Sequence, residues 1–363
     1  MTFYVIICLF SVFFYYLATI FDSKHNRYGT ILFFILFLLL PSLIGGLRDL
    51  TIGTDMNVYG IGSFYNTLNY PLRENIADNG TPEYGYVLLN YICAHISSSI
   101  NFFLFVAELI KISCIGYVAW NLRKEINSTL LVALYLLSSW WYGFSLMRQS
   151  LGIAVSFVAI LLAYRKKYLW AIFSFFIAYE FHNSAMFAVL LSCIFLIKGN
   201  KTRLFLTVFG SFAILSLWQV AIIYMAGSGL FRMDMDRYID SGVTSDKINI
   251  VLAAVSILLS VSVSRIKKDT NTKNWNSILL CMSVLYLCFL LMSKYIEVAF
   301  RVSFYARVFV FIAICYLAKN LSKSKYNHII LFVFLSMLIV GNYIQANHGA
   351  AGTLPYTSEI LGI

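Results

Sequence analysis

Long apolar runs separated by short polar connections extend over almost the whole chain. The runs are continuous rather than alternating with a period of two, which favours membrane-spanning helices over the strands of a barrel. About 20 apolar residues are needed to cross a hydrocarbon core of about 30 Å. On this basis the sequence predicts twelve spans, at residues 2–21, 30–46, 101–120, 129–145, 148–164, 168–180, 183–197, 203–226, 248–264, 276–294, 300–318 and 327–345.

Some apolar segments are short for a span. Segment 84–97 is also interrupted by polar residues, so we predict a re-entrant or interfacial helix there. Segments 168–180 and 183–197 are either short spans or two half-length helices that meet at residues 181–183. The first span has no basic leader and no small-residue cleavage site, which predicts a retained helix. Because no linker or soluble segment interrupts the pattern, we expect an all-α polytopic membrane protein with one transmembrane domain, residues 1–363.

Composition and charge placement fix the expected orientation. Only 12% of the residues are charged, against about 25% in soluble domains. The net charge is +11, and most Lys and Arg residues fall in the short connections near residues 24–27, 123–124, 165–167, 198–203, 265–273 and 319–325. The positive-inside rule places these in the cytosol, so they indicate topology rather than nucleic-acid binding. Both termini, the loops 47–83 and 227–247 and the tail 346–363 then face outward.

Ionisable side chains are costly at membrane depth, and most of them here lie at the predicted outer ends of helices. They are Arg48, Asp49, Asp55, Glu83, Arg148, His182, Arg232, Arg237, Lys294, Glu297, Arg301 and Arg307. Arginine binds phosphate oxygens through two parallel N–H groups and stays charged. Arg148 is also expected at a helix N-terminus, where unpaired N–H groups favour an anion. The set predicts a site for a phosphate-bearing lipid on the outer face.

Simpler roles remain open for the same residues. Outward arginines can serve only as lipid-headgroup anchors, and His182 can be an interior histidine with satisfied hydrogen bonds. Glu108 and Lys111 lie one helical turn apart within the third span and can neutralise each other. The seven cysteines lie almost entirely in apolar runs without a CxxC pair, which indicates packing. Asp234-Met235-Asp236 is an isolated DxD, so the sequence predicts no metal and no other cofactor.

An ordered set of short motifs resembles the EpsG-like branch of the Wzy-type polysaccharide polymerases, membrane enzymes of O-antigen, capsule and exopolysaccharide synthesis. The motifs are GLRD at 46–49, IGTD at 52–55 with Tyr59, EYGY at 83–86, MRQS at 147–150, FHNSA at 181–185, RVSFY at 301–305 and LPY at 354–356. They span about residues 45–356. Two features depart from the family's pattern: the loop around Arg232 and Arg237 matches loosely, and Asp49 adds a carboxylate without an assigned role.

The resemblance implies a GT-C-like architecture and a metal-independent, inverting glycosyl transfer at the outer leaflet of the bacterial inner membrane. The donor would be a glycan on undecaprenyl diphosphate and the acceptor a lipid-linked repeat unit, with a chain-length regulator as a further partner. Asp55, Glu83 and His182 are the candidate bases. The implied binding residues are Arg48, Arg148, Gln149, Arg232, Arg237, Arg301, Arg307, Tyr59, Tyr305 and Tyr356. An O-antigen ligase, or a transporter of lipid-linked sugars, is the alternative.

Overall fold

The described chain is helical throughout. The computed structural model describes residues 1–78, 83–227, 247–266, 270–321 and 352–363, together with residues 336 and 340. Its α-helices are α1 (Thr2–Ser23), α2 (Arg27–Gly46), α3 (Ile61–Asn69), α4 (Leu72–Asp78), α5 (Tyr84–Ile96), α6 (Ile100–Leu122), α7 (Ser128–Tyr135), α8 (Met147–Tyr164), α9 (Tyr168–Phe181), α10 (Met186–Ser192), α11 (Asn200–Gly227), α12 (Lys247–Ile266), α13 (Thr270–Met292) and α14 (Glu297–Leu321).

Six helices among the described residues are long and apolar enough to cross a membrane. They are Thr2–Ser23, Arg27–Gly46, Ile100–Leu122, Met147–Tyr164, Lys273–Met292 and Glu297–Tyr316. Shorter apolar helices include Tyr168–Phe181, Asn183–Phe195 and Asn249–Leu258. The prediction of a helical, multi-pass membrane protein is confirmed at this level. The count of twelve spans and the GT-C-like architecture stay predictions, and the predicted span 327–345 lies largely outside the described residues.

The chain divides into two compact units. This division does not test the prediction of a single transmembrane domain, which stays a prediction. The first unit comprises Met1–Ala185 and Ile329–Ile363, and the second comprises Met186–His328. In the first unit α2 packs against α1 and α6, and α8 packs against α6 and α9. In the second unit α13 packs against α11, α12 and α14.

Glycines bring the helices of the first unit close together. A Cβ atom at Gly46 would lie 2.7 Å from the Cα atom of Phe105 in α6. A Cβ atom at Gly116 in α6 would lie 2.9 Å from the ring of Phe37 in α2. Membrane helices associate through such small residues because van der Waals packing replaces the hydrophobic driving force that lipid removes. These two contacts hold α2 against α6.

The predicted span 129–145 is helical but irregular. After α7 the chain continues as a π-helix, Leu136–Trp140, and a 3₁₀-helix, Trp141–Phe144. Trp140 and Trp141, on either side of the junction between these two helices, are both buried. The carbonyl oxygen of Leu136, the first residue of the π-helix, accepts a hydrogen bond from the Cys8 thiol at 3.3 Å. The segment therefore ends in a tight turn immediately before α8 begins.

The first unit has the two chain termini at one end and its basic connections at the other. At one end the Tyr4 hydroxyl donates to the carbonyl of Thr353 at 2.9 Å, and the Tyr356 hydroxyl donates to that of Ile44 at 2.9 Å. At the far end of α1, Asp22 pairs with Arg123 at 3.2 Å. A helix of 22 residues is about 33 Å long, which matches a bilayer core. The termini thus lie opposite the basic connections of this unit.

Candidate functional site

The loop after α2 closes over the N-terminus of α8. One carboxylate oxygen of Asp55 accepts the backbone N–H of Met147 at 3.0 Å and also accepts the Tyr59 hydroxyl. A carboxylate there accepts a helix N–H that would otherwise have no partner. Its negative charge is also attracted to the positive end of the helix dipole. Gly53 has φ +95, and a Cβ atom there would collide with the carbonyl oxygen of Phe144. Glycine is therefore required where the loop meets α8.

Arg148 lies between a carboxylate and an aromatic ring. Its Nη1 is 2.6 Å from Oε2 of Glu83, and its guanidinium carbon is 4.0 Å from the ring centroid of Tyr59. The Glu83 side chain is 7% exposed, whereas that of Arg148 is 25% exposed. Ion pairing and stacking fix the plane of the guanidinium. Arg148 thus presents a partly exposed, oriented cation at the start of α8.

His182 faces the other oxygen of Glu83. Its Nε2 is 3.8 Å from Oε1 of Glu83, and the backbone N–H of Asn183 also donates to this carboxylate. On the far side of the ring, Nδ1 accepts the backbone N–H of Ser184 at 3.1 Å. A backbone N–H can only donate, so neutral His182 carries its proton on Nε2. That N–H points toward the Glu83 carboxylate.

A close helix contact brings Glu83 to His182. A Cβ atom at Gly85, in the first turn of α5, would lie 3.0 Å from the backbone of Glu180 in α9. Glycine lets the two helices approach, and Glu83 immediately precedes α5 while His182 immediately follows α9. Burial raises the pKa of Glu83 above its ordinary value of 4.5, and Arg148 and the Asn183 N–H offset part of this rise. The carboxylate is therefore more basic than an exposed one.

A second charged cluster lies beneath the first. Arg48 and Lys111 flank Glu108, with Nζ of Lys111 2.5 Å and Nη1 of Arg48 3.8 Å from the same carboxylate oxygen. The guanidinium of Arg48 also donates to the carbonyl of Gly45 and lies 4.3 Å from the ring centroid of Phe144. Arg48 therefore lies at the C-terminus of α2, where the negative end of the helix dipole stabilises its positive charge. The Glu108–Lys111 pairing is as the neutralisation hypothesis expected, but the sequence did not indicate that Arg48 joins it.

The burial of Arg48 bears on its predicted role. Its side chain is 1% exposed, and its nearest link to the upper cluster is the Met147 sulfur, 3.7 Å from Nη2. Arg48 is thus not brought to the partly exposed face that Arg148 occupies. Its binding of diphosphate stays a prediction.

The other predicted binding residues are dispersed. In the first unit Gln149 is buried within α8, and Tyr356 stacks on Phe3 with ring centroids 4.5 Å apart. In the second unit Arg301 pairs with Glu297 through two N–H groups, at 2.6 and 3.1 Å. Tyr305 and Arg307 are buried in α14. Arg232 and Arg237 lie outside the described residues, as do Asp234 and Asp236.

Asp49, which had no role from sequence, anchors the C-terminal tail. Its carboxylate accepts the backbone N–H of Glu359 at 2.8 Å, and its own N–H donates to the carbonyl of Thr357 at 3.1 Å. The Ser358 hydroxyl donates to the carbonyl of Leu47 at 2.5 Å. The tail therefore clamps the loop that carries Asp55. No local motif signals a contact between residues 310 positions apart.

Within the part of the chain that the structure describes, no three His, Cys, Asp or Glu side chains form a group suited to hold a metal ion. The fold and site define a multi-pass helical membrane protein with a cluster of Asp55, Arg148, Glu83 and His182 at one end of its first unit, of which Glu83 is buried and the other three are partly exposed. A model of the EpsG family matches residues 30–358. The chain belongs to this family, which is Wzy-type polymerase-like. Comparisons with curated proteins and with solved structures gave no significant match.

Proposed function

We propose that this protein is a Wzy-type polysaccharide polymerase. It transfers a growing glycan from undecaprenyl diphosphate to the non-reducing end of a lipid-linked repeat unit, at the outer leaflet of the bacterial inner membrane. Membership of the EpsG family supports a polymerase-like membrane protein. The observation that carries the chemistry is the oriented, partly exposed Arg148 held 2.6 Å from the buried Glu83.

Arg148 would bind the diphosphate of the donor. A guanidinium matches phosphate oxygens with two parallel N–H groups and stabilises the charge that grows as the diphosphate leaves. Because the diphosphate competes with Glu83 for the same cation, binding weakens the ion pair. The Arg148 charge lowers the pKa of Glu83, so losing this contact makes the carboxylate more basic. Donor binding would thereby prepare the base.

Glu83 is the best placed of the three candidate bases. Asp55 already accepts hydrogen bonds from the Tyr59 hydroxyl and the Met147 N–H. Neutral His182 accepts at Nδ1 from Ser184 and carries its proton on Nε2. His182 is then a positioning residue, which contributes an electrostatic contact from Nε2, 3.8 Å from Oε1 of Glu83.

The proposed step is a single displacement. The acceptor hydroxyl oxygen forms a bond to the donor's reducing-end C1 and gives its proton to Glu83. The bond between C1 and the diphosphate oxygen breaks, and undecaprenyl diphosphate leaves with the electron pair. Attack opposite the leaving group inverts the configuration at C1. Arginine charge, rather than a metal ion, is proposed to neutralise the leaving group.

The test is a reconstituted reaction. Purified protein is incubated in EDTA with a synthetic lipid-diphosphate repeat unit, and mass spectrometry follows polymer and released lipid diphosphate. Glu83→Gln should lower the rate by about 100- to 10,000-fold, the usual contribution of a general base. Glu180→Gln, a partly exposed carboxylate nearby on α9, is the matched control and should retain the rate.

Three results would contradict the proposal. They are a wild-type protein that makes no polymer, a requirement for added Mg²⁺ or Mn²⁺, and an unimpaired Glu83→Gln variant. Release of lipid diphosphate only with an acceptor other than the repeat unit would identify a ligase.

A further inference from the structure

Tyr86 is a buried tyrosine that the proposed reaction does not use. It lies in the first turn of α5, where its backbone N–H donates to the carbonyl of Glu83 at 3.1 Å. The residue is 2% exposed. One helical turn therefore carries both the proposed base and this aromatic ring.

The ring of Tyr86 lies between a ring of the site and a ring of a long apolar helix. Its centroid is 6.2 Å from that of Tyr59 and 5.6 Å from that of Phe103 in α6, with interplanar angles of 78° and 85°. Both contacts are edge-to-face, an arrangement that aromatic pairs favour. Phe103 is buried and also contacts the ring of Phe64 in α3, 6.0 Å away. Tyr86 thus connects Tyr59 to α6, which is long enough to cross a membrane.

Tyr59 transmits this support to Arg148. Two contacts hold the guanidinium of Arg148, namely the ion pair with Glu83 at 2.6 Å and the ring of Tyr59, whose centroid is 4.0 Å from the guanidinium carbon. In the proposed reaction a diphosphate competes for the ion pair. It does not compete for the face of the guanidinium that lies on the ring. Once the donor is bound, stacking therefore keeps the plane of the guanidinium fixed.

The hydroxyl group of Tyr86 contributes less than its ring. In the described part of the chain it lies beside Asn90 without a hydrogen bond of normal geometry. Burial raises the pKa of this phenol above its ordinary value of 10, so it stays protonated and uncharged. The contact with Tyr59 is thus made by the ring, and neither a charge nor a hydrogen bond of Tyr86 is needed for it.

We propose that Tyr86 is a positioning residue for Arg148. Its ring, seated on Phe103, fixes the ring of Tyr59 and through it the plane of the guanidinium while a diphosphate replaces Glu83 as the partner of that cation. The inference rests on the proposed function, because it assigns Tyr86 a role at the arginine that binds the diphosphate in that reaction. Misplacing such a group by about 1 Å costs about 100-fold in rate.

The polymerisation assay compares removal of the ring with removal of the hydroxyl group. Tyr86→Leu should lower kcat/KM for the donor by about 10- to 100-fold. Tyr86→Phe keeps the ring and should stay near the wild-type value. In an Arg148→Lys background, Tyr86→Leu should add less than about threefold, because lysine has no planar group for the ring to orient. A loss caused only by weaker folding would instead be the same in both backgrounds.

Tyr15→Leu is the matched control. Tyr15 is fully buried in α1, and its ring also lies edge-on to two aromatic rings, those of Phe37 and Trp120 at 5.2 and 6.3 Å. The variant reports what loss of a buried tyrosine ring does to stability. It should leave kcat/KM unchanged at equal membrane abundance.

A binding measurement separates this inference from the polymerase assignment. Full-length protein in detergent is titrated with inorganic pyrophosphate, and Tyr86→Leu should weaken binding by about tenfold, because the arginine is no longer preorganised. Tyr86→Phe and Tyr15→Leu should bind as the wild type does. A wild-type protein that forms no polymer but binds pyrophosphate in this Tyr86-dependent way refutes the polymerase and leaves the positioning role standing.

Other outcomes overturn the inference. Wild-type kcat/KM in Tyr86→Leu, or equal losses with and without Arg148, refutes it even if polymer forms. A wild-type protein that neither binds pyrophosphate nor forms polymer refutes both proposals. If Tyr86→Leu is not recovered folded, Phe103→Leu takes its place, because it removes the ring on which Tyr86 is seated. Its kcat/KM should fall at least about threefold, and only where Arg148 is present.

Discussion

Replacing Arg148 by lysine separates phosphate binding from lipid anchoring. Lysine keeps the positive charge and reaches the membrane surface as well as arginine does, so a headgroup anchor should tolerate the change. A diphosphate ligand should not, because lysine cannot present two parallel N–H groups. The structure adds that Arg148 stacks on Tyr59 with its guanidinium carbon 4.0 Å from the ring centroid. Lysine also loses this planar stacking.

The expected loss follows from the contacts at Arg148. Stacking of a cation on an aromatic ring contributes about 0.5–2 kcal/mol. A fixed donor that binds charge developing in the transition state contributes about 3–4 kcal/mol. The second quantity governs turnover, because stacking is present before and after the reaction. Arg148→Lys should therefore lower the polymerisation rate by about 100- to 1,000-fold.

The chain provides a closely matched control for this change. Arg123 also pairs with a carboxylate, that of Asp22 at 3.2 Å, and its guanidinium carbon lies 4.4 Å from the ring centroid of Trp120. Its side chain is 28% exposed, close to the 25% of Arg148. Arg123 lies at the opposite end of the first unit. Arg123→Lys should retain nearly full turnover at equal membrane abundance.

The assay is polymer formation from a lipid-diphosphate repeat unit, normalised to protein in the membrane. Near-wild-type turnover of Arg148→Lys would refute the assignment of Arg148 as a diphosphate ligand. Equal losses in Arg148→Lys and Arg123→Lys would point to stability instead. Arg301→Lys, assayed beside them, tests the second arginine that the sequence singled out.

Three further predictions address pH, the tail and the orientation. A general base must be ionised, so kcat/KM should fall as the pH is lowered through the raised pKa of Glu83. Arg148→Gln removes the cation that lowers this pKa, so the fall in kcat/KM should begin at a higher pH in that variant. Asp49→Ala should lower stability by about 1–2 kcal/mol in a denaturation assay, whereas Glu359→Ala, which keeps its backbone N–H, should not. Single cysteines at 55–80 in a cysteine-free variant should react with an impermeant maleimide in intact cells, and those at 265–275 should not.

Much of the helical framework follows from the hydrophobic pattern because lipid imposes simple rules. A span needs about 20 apolar residues, and its backbone must be satisfied internally. The short helix at Tyr84–Ile96 and the break between Tyr168–Phe181 and the following helix were both predicted from interrupted apolar runs. The π-helix at Leu136–Trp140 was not, because nothing in the apolar run marks a change of helix type.

Only some of the residues predicted for the site lie together in the structure, and the contacts between them did not follow from the sequence. The sequence placed Asp55, Glu83, Arg148 and His182 in a larger set of outward residues, and the structure brings these four into one cluster. The sequence did not indicate that Arg48 turns inward, since one helical turn decides whether an arginine at a helix end faces water or a neighbouring helix. Glu108, in the facing helix, provides the partner that makes the inward position stable.

The difference between the three candidate bases also depends on partners rather than on residue type. A carboxylate, a second carboxylate and an imidazole are all chemically competent, and the sequence left them equivalent. All three accept a backbone N–H: Asp55 from Met147, His182 from Ser184 and Glu83 from Asn183. Glu83 keeps a carboxylate whose main partner, Arg148, is also the group that a diphosphate would bind. The exchange of that partner links donor binding to base strength, which the pH profile of Arg148→Gln measures directly.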